Sequence, residues 1–320
     1  MVNLNKSVNL RPLKLDEYIG QEHIKEKLKV FIEASKKRKT SLDHILLSGP
    51  PGLGKTTLAQ IIANELGVQL KITSGNILDK KGDLAGILTS LEEGDILFID
   101  EIHRLNPSVE ETLYSAMEDF QIDIILGKGK SARSIRIELK PFTLIGATTR
   151  SGLLTSPLLS RFGIILSFDY YSTKALKEIV KRTLSLMNFR IDDQSAYEIA
   201  KRSRGTPRVA NKLAKRVLDY IMIKYDGQID VDKTLQALEF LGIDEYGLNS
   251  IDRKYLSILI YQFDCKPVGI NTISMAMNEN KDTIEEMIEP YLLRIGMIEK
   301  TPRGRIPTQK AILHMKKYLK

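Results

Sequence analysis

The sequence has no tryptophan, a single cysteine and four histidines. Because Cys265 is the only cysteine, an internal disulfide is excluded. No run of 18 apolar residues occurs, and residues 1–11 lack the apolar core of a signal peptide, so we predict a cytoplasmic protein without a membrane partner. The histidines show no metal-ligand spacing, which argues against a metal held by histidine. They are His23, His44, His103 and His314.

The net charge of +8 is concentrated at the carboxyl-terminal end of the chain. From residue 294 onward there are eight basic residues and one acidic residue, Glu299, whereas residues 1–293 carry 40 basic and 39 acidic ones. A basic end on a nearly neutral body predicts contact with a polyanion. The shorter basic run, residues 36–39, is interpreted as a solvated helix end. The eight basic residues are Arg294, Lys300, Arg303, Arg305, Lys310, Lys316, Lys317 and Lys320.

Residues 49–56 fit the phosphate-binding pattern G-x-x-x-x-G-K-[ST], with an apolar strand-like run before them and an apolar-periodic helix after them. Its glycines, Gly52 and Gly54 among them, let backbone N–H groups surround phosphate oxygens. Lys55 adds a cation for the β- and γ-phosphates, and the hydroxyl of Thr56 is suited to Mg²⁺. A chance glycine-rich turn is the alternative, which the flanking elements disfavour. The sequence therefore predicts ATP or ADP with Mg²⁺ as cofactors.

A second motif ends a strand that is predicted to be buried on both faces, residues 95–101. Its two carboxylates form a Walker B pattern: Asp100 is placed to hold the Mg²⁺ shell and Glu101 to position the attacking water. A solvated acidic turn is the alternative. The strand at residues 142–150 ends in hydroxyl groups, and we expect Thr148 to sense the γ-phosphate between the tips of the first and third strands.

Two arginines are candidates for completing the site. Arg161 belongs to a segment that joins two strands, which we expect at the nucleotide edge of the sheet, where it would reach the γ-phosphate of a neighbouring subunit. Arg208 lies in the first turn of a helix that begins near Pro207, from which it would act as a second phosphate sensor. The alternatives are an ordinary surface arginine and an ordinary helix-start arginine.

Two stretches each have two interpretations between which the sequence does not decide. The segment around Tyr18 and Gly20 precedes the P-loop and either packs against the domain or folds over the adenine ring. Residues 122–133 are predicted to form a hairpin with a Gly-Lys-Gly bend. Its isoleucine-rich arm is either core or a docking surface for another protein.

A chain of 320 residues has room for two or three domains. We predict an α/β P-loop domain with a parallel sheet at 1–168, a small all-α lid at 169–241 and a winged helix at 242–320. Asp282 and Glu285 predict a capping box for the third helix of the winged helix. At the wing, Arg303 and Arg305 are candidates for gripping DNA, and Lys281 and Lys300 for contacting its backbone. A winged helix that binds protein is the alternative.

The ordered set of motifs closely resembles the RuvB family, bacterial AAA+ ATPases that drive branch migration of Holliday junctions. The resemblance implies that nucleotide is held by a set of eight residues, that a short acidic and aromatic segment lies near it, and that Arg161 is an arginine finger. The eight residues are Leu10, Arg11, Gly52, Lys55, Thr56, Thr57, Tyr171 and Arg208, and the segment is Glu118, Asp119 and Phe120. The resemblance extends over the motifs at residues 10–21, 49–57, 100–105, 116–120, 146–150, 204–208 and 301–305.

The resemblance also implies a homohexameric ring on double-stranded DNA, active in homologous recombination and DNA repair. Its expected partners are RuvA, docked through the hairpin from Ile122 to Arg133, and the RuvC resolvase. An ATP-switched DNA-binding initiator and a clamp-loader-like protein are the rival functions. The departures from the family pattern are conservative: Lys281 and Lys300 stand where arginine is common, and serine precedes Arg161 where aspartate is usual.

Overall fold

The computed structural model describes residues 10–126 and 133–318. The chain divides into two compact units. The first runs to Ile179 and includes Thr206–Arg208, and the second comprises Val180–Gly205 and the chain from Val209 onward. Most of the predicted lid thus shares one unit with the winged helix. The finer division at residues 168 and 241 stays a prediction. In the described ranges, none of the helices has the length and apolar character that crossing a bilayer requires.

A parallel sheet of five strands organises the first unit. Its strands are β1 (Ile45–Ser48), β2 (Leu70–Ser74), β3 (Ile96–Asp100), β6 (Thr143–Thr148) and β7 (Ile164–Ser167), and a separate hairpin is formed by β4 (Gln121–Leu126) and β5 (Arg133–Glu138). The order is β2-β3-β6-β1-β7, so β6 lies between the first and third strands, as predicted. Because all five strands are parallel, their carboxyl ends meet at one edge.

Helices cover this sheet because their apolar faces have no other surface on which to be buried. Residues 96–99 of β3 are fully buried, as expected for a strand covered on both faces. The helix after β3 begins where the sequence predicts, since the side chain of Asn106 accepts a hydrogen bond from the N–H of Val109 and Pro107 occupies the first turn. The helices of this unit are α1 (Glu22–Arg38), α2 (Lys55–Leu66), α3 (Lys81–Leu88), α4 (Pro107–Glu118) and α5 (Ser156–Leu159). The next helix, α6 (Thr173–Leu186), begins in the first unit and ends in the second.

The β4–β5 hairpin is confirmed as an antiparallel pair, while its predicted bend at residues 127–132 lies outside the described residues. Ile122 is buried, and Ile124 and Ile137 pack against the domain core. Ile135 stays 45% exposed. Because Ile122 pairs with Ile137 and Ile124 with Ile135, the four isoleucines share one face of the hairpin. That face is core at Ile122 and leaves Ile135 partly in solvent.

The second unit is helical apart from the wing. Aspartates begin two of its lid helices: Asp192 caps α7, and Asp230 caps a helix at Val231–Phe240 that the sequence analysis did not identify. The helices are α7 (Asp193–Lys201), α8 (Pro207–Tyr225, with its first residues in the first unit), α9 (Val231–Phe240), α10 (Ser250–Ser257), α11 (Ile270–Met277), α12 (Lys281–Thr283), α13 (Glu289–Arg294) and α14 (Gln309–Met315).

The predicted capping box at the third helix of the winged helix is wrong. Asn280, not Asp282, occupies the N-cap position of α12, and the carboxylate of Glu285 binds Arg305 instead. A π-helical turn, Ile284–Ile288, joins α12 to α13. Pro290, which lacks the N–H that an α-helix needs, follows it in the first turn of α13.

The wing is formed by β8 (Ile298–Thr301) and β9 (Gly304–Pro307), which pair in antiparallel fashion. Val268 adds a further pair of backbone hydrogen bonds to Arg305. Gly304 has φ +138°, and a Cβ at this position would lie 2.4 Å from the carbonyl oxygen of Val268. Only glycine allows this close approach, so the turn of the wing is fixed against the body of the domain.

Candidate functional site

The P-loop between β1 and α2 has the backbone conformation that its glycines permit. Gly49, Gly52 and Gly54 have φ of +141°, +81° and +102°. A Cβ on Gly49 would lie 2.9 Å from the backbone oxygen of Phe168, and one on Gly54 would lie 2.7 Å from the hydroxyl of Tyr18. Side chains are thus excluded at Gly49 and Gly54 both by conformation and by space, as expected for a loop that surrounds a phosphate with its backbone.

Lys55 is the first residue of α2 and is 7% exposed. Its Nζ donates hydrogen bonds to the carbonyl oxygens of Gly49 (2.7 Å) and Pro50 (3.0 Å). Burial lowers the pKa of Lys55, and the nearby carboxylates of Glu101 and Asp100 oppose that shift. The predicted lysine and both Walker B carboxylates therefore belong to one electrostatic cluster.

Thr56 and Thr57 follow in the first turn of the helix and are half-buried. Asp100 ends β3, where it pairs with Ser74 of β2, and its Oδ1 accepts the N–H of Glu101 at 3.1 Å. A threonine hydroxyl and a carboxylate are hard oxygen donors of the type that Mg²⁺ prefers. The donor chemistry of Thr56 and Asp100 therefore fits the predicted Mg²⁺.

Glu101 is held by side chains that the sequence analysis did not select. Its Oε2 accepts a hydrogen bond from the hydroxyl of Thr149 at 3.0 Å and lies 3.3 Å from Nδ1 of His103. The same Nδ1 shares a hydrogen bond of 2.9 Å with the hydroxyl of Thr148. Thr148 is fully buried and pairs with Ser48, the last residue before the P-loop. A continuous polar network therefore links the candidate water-positioning carboxylate to the candidate sensor.

The segment ahead of the P-loop packs beneath it. The hydroxyl of Tyr18 donates to the carbonyl oxygen of Leu53, and Tyr171 donates to the hydroxyl of Tyr18 at 3.0 Å. Burial raises the pKa of Tyr171 to about 12. A cleft of about 490 Å³ lies between residues 19–23 and 169–178. Its size is that of a small-molecule pocket, and Tyr171 is one of its walls.

Arg208 and the two residues at the start of the described chain complete the predicted nucleotide set. The N–H of Arg208 donates to the carbonyl oxygen of Gly52 at 3.3 Å, and its Cβ lies 3.1 Å from the position of a Cβ on Gly52. The first turn of α8 therefore touches the P-loop. Leu10 is half-buried and Arg11 is exposed, and their roles stay predictions.

The expected position of Arg161 at the nucleotide edge is wrong. Arg161 lies three residues before Ile164, which starts β7 and pairs with Ile45 at the amino end of β1. In a parallel sheet the connection from β6 to β7 must return to the opposite edge, and strands of four to six residues separate the two edges by roughly 13–20 Å. Arg161 is thus remote from the P-loop edge of its own chain.

The acidic and aromatic segment after α4 shares this amino edge with Arg161. Glu118 pairs with Nη2 of Arg161 at 2.9 Å, and the guanidinium lies 4.4 Å from the ring centroid of Tyr114. Phe120 has φ +50°, and its ring packs edge-on against Phe142. Asp119 is the exposed C-cap of the helix. These residues form a second cluster, on the opposite side of the sheet from Lys55.

The four predicted DNA contacts have two kinds of surroundings. Lys281 and Arg303 are exposed, whereas Lys300 and Arg305 are paired with carboxylates. The Nζ of Lys300 lies 2.8 Å from Glu289, and the Nε of Arg305 donates to the same carboxylate at 2.8 Å. The Nη2 of Arg305 also donates to Glu285 at 2.6 Å.

Glu289 is the buried centre of this cluster and also accepts a hydrogen bond from the hydroxyl of Tyr255 at 2.9 Å. Burial alone would raise the pKa of Glu289, but the hydrogen bonds from Arg305, Lys300 and Tyr255 outweigh it and lower the pKa. The carboxylate therefore stays charged and braces both strands of the wing.

Comparison with known proteins covers both units. The profile described as the Holliday junction DNA helicase RuvB P-loop domain matches residues 10–168, the RuvB AAA lid domain matches 171–244, and the RuvB C-terminal winged helix domain matches 245–316. The Holliday junction branch migration complex subunit RuvB of Thermotoga maritima is 58% identical over 307 residues, with 96% of this chain and 92% of the relative covered. The chain belongs to the RuvB family.

One further relative and a solved structure support this assignment. The subunit from Fusobacterium nucleatum is 57% identical over 316 residues, covering 99% of this chain and 95% of its own. The structure of Thermotoga maritima RuvB, named a Holliday junction branch migration motor, superposes with a TM-score of 0.87 at 55% identity, covering 96% of this chain and 98% of that one. The predicted architecture of a P-loop AAA+ domain, a lid and a winged helix is confirmed.

Proposed function

We propose that this member of the RuvB family is an ATP-driven DNA motor that powers branch migration of Holliday junctions in homologous recombination and DNA repair. The observation that carries the proposal is the network at the carboxyl edge of the sheet. It brings Lys55, Asp100, Glu101 and Thr148 together in one chain whose other unit ends in a winged helix with exposed cations. A protein that uses ATP only as an assembly signal has no need of a carboxylate held for water attack.

In the proposed reaction, Glu101 orients a water that attacks the γ-phosphorus of ATP, the bond from that phosphorus to the bridging oxygen breaks, and ADP and inorganic phosphate are released. Thr149 and His103 fix the carboxylate of Glu101. Lys55 neutralises charge that develops on the phosphate oxygens. Thr56 and Asp100 would hold Mg²⁺, which would supply further positive charge next to the phosphates. Arg208 contacts the P-loop from the first turn of α8 and would transmit the state of the phosphate to the lid.

Arg161 would act on the nucleotide of the neighbouring subunit. Because Arg161 lies at the edge of the sheet opposite to the P-loop, its side chain is better placed to reach the γ-phosphate of a neighbouring subunit than that of its own chain. We therefore propose a ring in which each active site is shared, with six copies as the RuvB family resemblance implies. Glu118 holds the arginine near the surface of its own subunit until a neighbour's phosphate is present.

The remaining partners belong to the same proposal. Ile135 is exposed on the β4–β5 hairpin, which suits docking of RuvA, and RuvC would join the complex. Lys281, Lys300, Arg303 and Arg305 would contact duplex DNA mainly through its phosphates, so that binding weakens steeply as salt is raised.

The substitution Glu101→Gln tests the proposal. The variant is expected to bind ATP and duplex DNA normally but to lose ATP-dependent dissociation of a synthetic four-way junction in the presence of RuvA. Thr89→Val, which removes an exposed hydroxyl bonded to its own helix, is the control. If the wild-type protein binds duplex DNA under ATP but never moves a junction, an ATP-switched initiator or a clamp-loader-like function replaces the motor.

A further inference from the structure

The turn between α7 and α8 is held in an unusual conformation. Arg204 has φ +53°, in the left-handed region that non-glycine residues seldom adopt. Its side chain crosses to the start of the winged helix, where Nε donates to the carbonyl oxygen of Gly247 at 2.9 Å. Its two terminal nitrogens donate to the two carboxylate oxygens of Asp252. All three nitrogens of the guanidinium therefore donate to a neighbouring domain of the same unit.

Asp252 is itself a structural residue. It is 1% exposed, and its Oδ2 accepts the N–H of Asn249 at 2.8 Å as part of the capping box that begins α10. A buried carboxylate that loses its cation is strongly unfavourable, and a bidentate arginine is the geometry that best compensates it. The partner of Arg204 is therefore part of the cap at the start of the first helix of the winged helix.

A second set of contacts ties the same turn to the third helix of the winged helix. The ring centroid of Tyr291 lies 4.9 Å from the guanidinium of Arg204 and 5.1 Å from that of Arg294. Arg294 donates to the carbonyl oxygen of Arg204 at 2.7 Å. The hydroxyl of Tyr291 donates to the carbonyl oxygen of Tyr246 at 2.6 Å.

A close backbone approach is the third contact between this turn and the winged helix. A Cβ on Gly247, which has φ +73°, would lie 2.6 Å from the carbonyl oxygen of Arg202. The turn and the linker therefore approach each other as closely as backbone allows. Arg204 is thus held by segments of the winged helix that are distant from one another in sequence.

We propose that Arg204 is a positioning residue that joins the lid helices to the winged helix, so that both move as one body during the ATPase cycle. The inference rests on the proposed motor function, which it deepens. Arg204 lies three residues before the start of α8, whose first turn carries Arg208. Domains joined only by a linker move independently by default, and a displacement of the lid would then not reach the wing.

The first test measures the contact between the lid helices and the winged helix directly, without catalysis. Spin labels are placed on cysteines at the exposed positions Ser185 of α6 and Asn271 of α11, in a Cys265→Ser background. We expect a narrow distance distribution that Arg204→Ala broadens. The control Arg216→Ala removes an arginine of an exposed lid ion pair and should leave it narrow. An unchanged distribution in Arg204→Ala would overturn the proposal.

The second test separates positioning from stability. Arg204→Ala is expected to retain the kcat and KM for ATP, while the amount of four-way junction dissociated per ATP falls roughly 2- to 30-fold. Arg204→Lys keeps the charge towards Asp252 but not the fork, so it should recover part of the yield. A proportional loss of ATPase and junction movement contradicts the proposal. If the wild type dissociates no junction, the motor function fails, whereas the distance measurement still decides the role of Arg204.

Discussion

Lys55 and Arg161 are both expected to neutralise a γ-phosphate, yet they occupy opposite edges of the same sheet. Lys55 faces neutral carbonyl oxygens of the P-loop and the two Walker B carboxylates. Arg161 faces Glu118 and the ring of Tyr114, at the amino ends of the strands. A single chain does not bring the two residues together, so the mechanism proposed above requires a second copy to complete each site.

The wing repeats the contrast between available and paired cations. Arg303 is exposed, whereas Arg305 is 13% exposed and is held by Glu289 and Glu285. Arg161 and Arg305 thus both form ion pairs with carboxylates of their own chain. Carboxylate and phosphate bind the guanidinium fork in the same way, so a phosphate ligand would exchange with the more exposed carboxylate.

The largest effect is expected for Arg161→Ala. Loss of an arginine finger lowers ATP turnover about 10³- to 10⁵-fold. Affinity for ATP should stay close to that of the wild type, because the P-loop edge is intact. Arg38→Ala, an exposed arginine at the end of α1, is the control. Steady-state ATPase measurements and nucleotide titration give the turnover and the affinity. A variant that retains the wild-type turnover would show that Arg161 at the amino edge takes no part in ATP hydrolysis.

A smaller loss is expected at the P-loop edge for Thr149→Val. This change removes the hydroxyl that holds Glu101, and a misplaced catalytic carboxylate costs on the order of 10²-fold in kcat. The KM for ATP should not change, since Thr149 is not expected to touch the nucleotide. Thr89→Val should behave as wild type in the same assay. An unchanged kcat for Thr149→Val would exclude the proposed positioning network.

For the wing, Glu289→Gln is expected to destabilise the winged helix by about 1–3 kcal/mol at neutral pH, because it weakens the brace on Lys300 and Arg305. The pKa of Glu289 is lowered in the folded state, so its contribution is present above the ordinary glutamate pKa and is lost as pH falls through the folded pKa. Urea unfolding at neutral and acidic pH measures this. The difference between wild type and variant should shrink in acid, and a constant difference would contradict the assignment.

The smallest effect is expected for Glu285→Gln, which weakens the shorter of the two hydrogen bonds made by Nη2 of Arg305. The longer one, to Glu289 at 3.2 Å, remains, and the guanidinium becomes more available to phosphate. Glu299→Gln removes the same charge from the exposed face of the same wing and is the matched control. Both variants should bind duplex DNA slightly more tightly. Only Glu285→Gln should steepen the dependence of log K on log salt, by about 0.9 for one additional phosphate contact. Equal slopes would show that Arg305 remains paired when DNA binds.

Residues whose roles follow from local sequence were predicted correctly in position. The P-loop and Asp100 each lie where a strand meets its following turn, so their spacing from strand and helix patterns was sufficient. The edge of the sheet at which Arg161 lies was not predicted correctly, because it depends on how far the chain returns across the sheet after β6. The contacts of His103 and Thr149 depend on neighbouring strand ends that are 45 or more residues apart in sequence.

In the second unit, the missing information was also long-range or weak. The helix α9 begins at an aspartate cap but follows a short polar stretch, and its apolar pattern is too short to predict a helix clearly. Asp282 and Glu285 fit the sequence pattern of a capping box. In the structure Asn280 occupies the cap position, and the carboxylate of Glu285 binds Arg305, 20 residues later in the chain. The sequence therefore identified the basic wing but not which of its cations are already paired.

The most direct test of the shared site mixes two inactive proteins, Lys55→Ala and Arg161→Ala. In an equal mixture, about a quarter of the interfaces of a randomly assembled ring join an intact P-loop to an intact arginine. ATP hydrolysis is therefore expected to return on mixing, although neither variant hydrolyses ATP alone. If the mixture remains as inactive as its components under conditions in which they co-assemble, each chain completes its own site and the two-edge account is wrong.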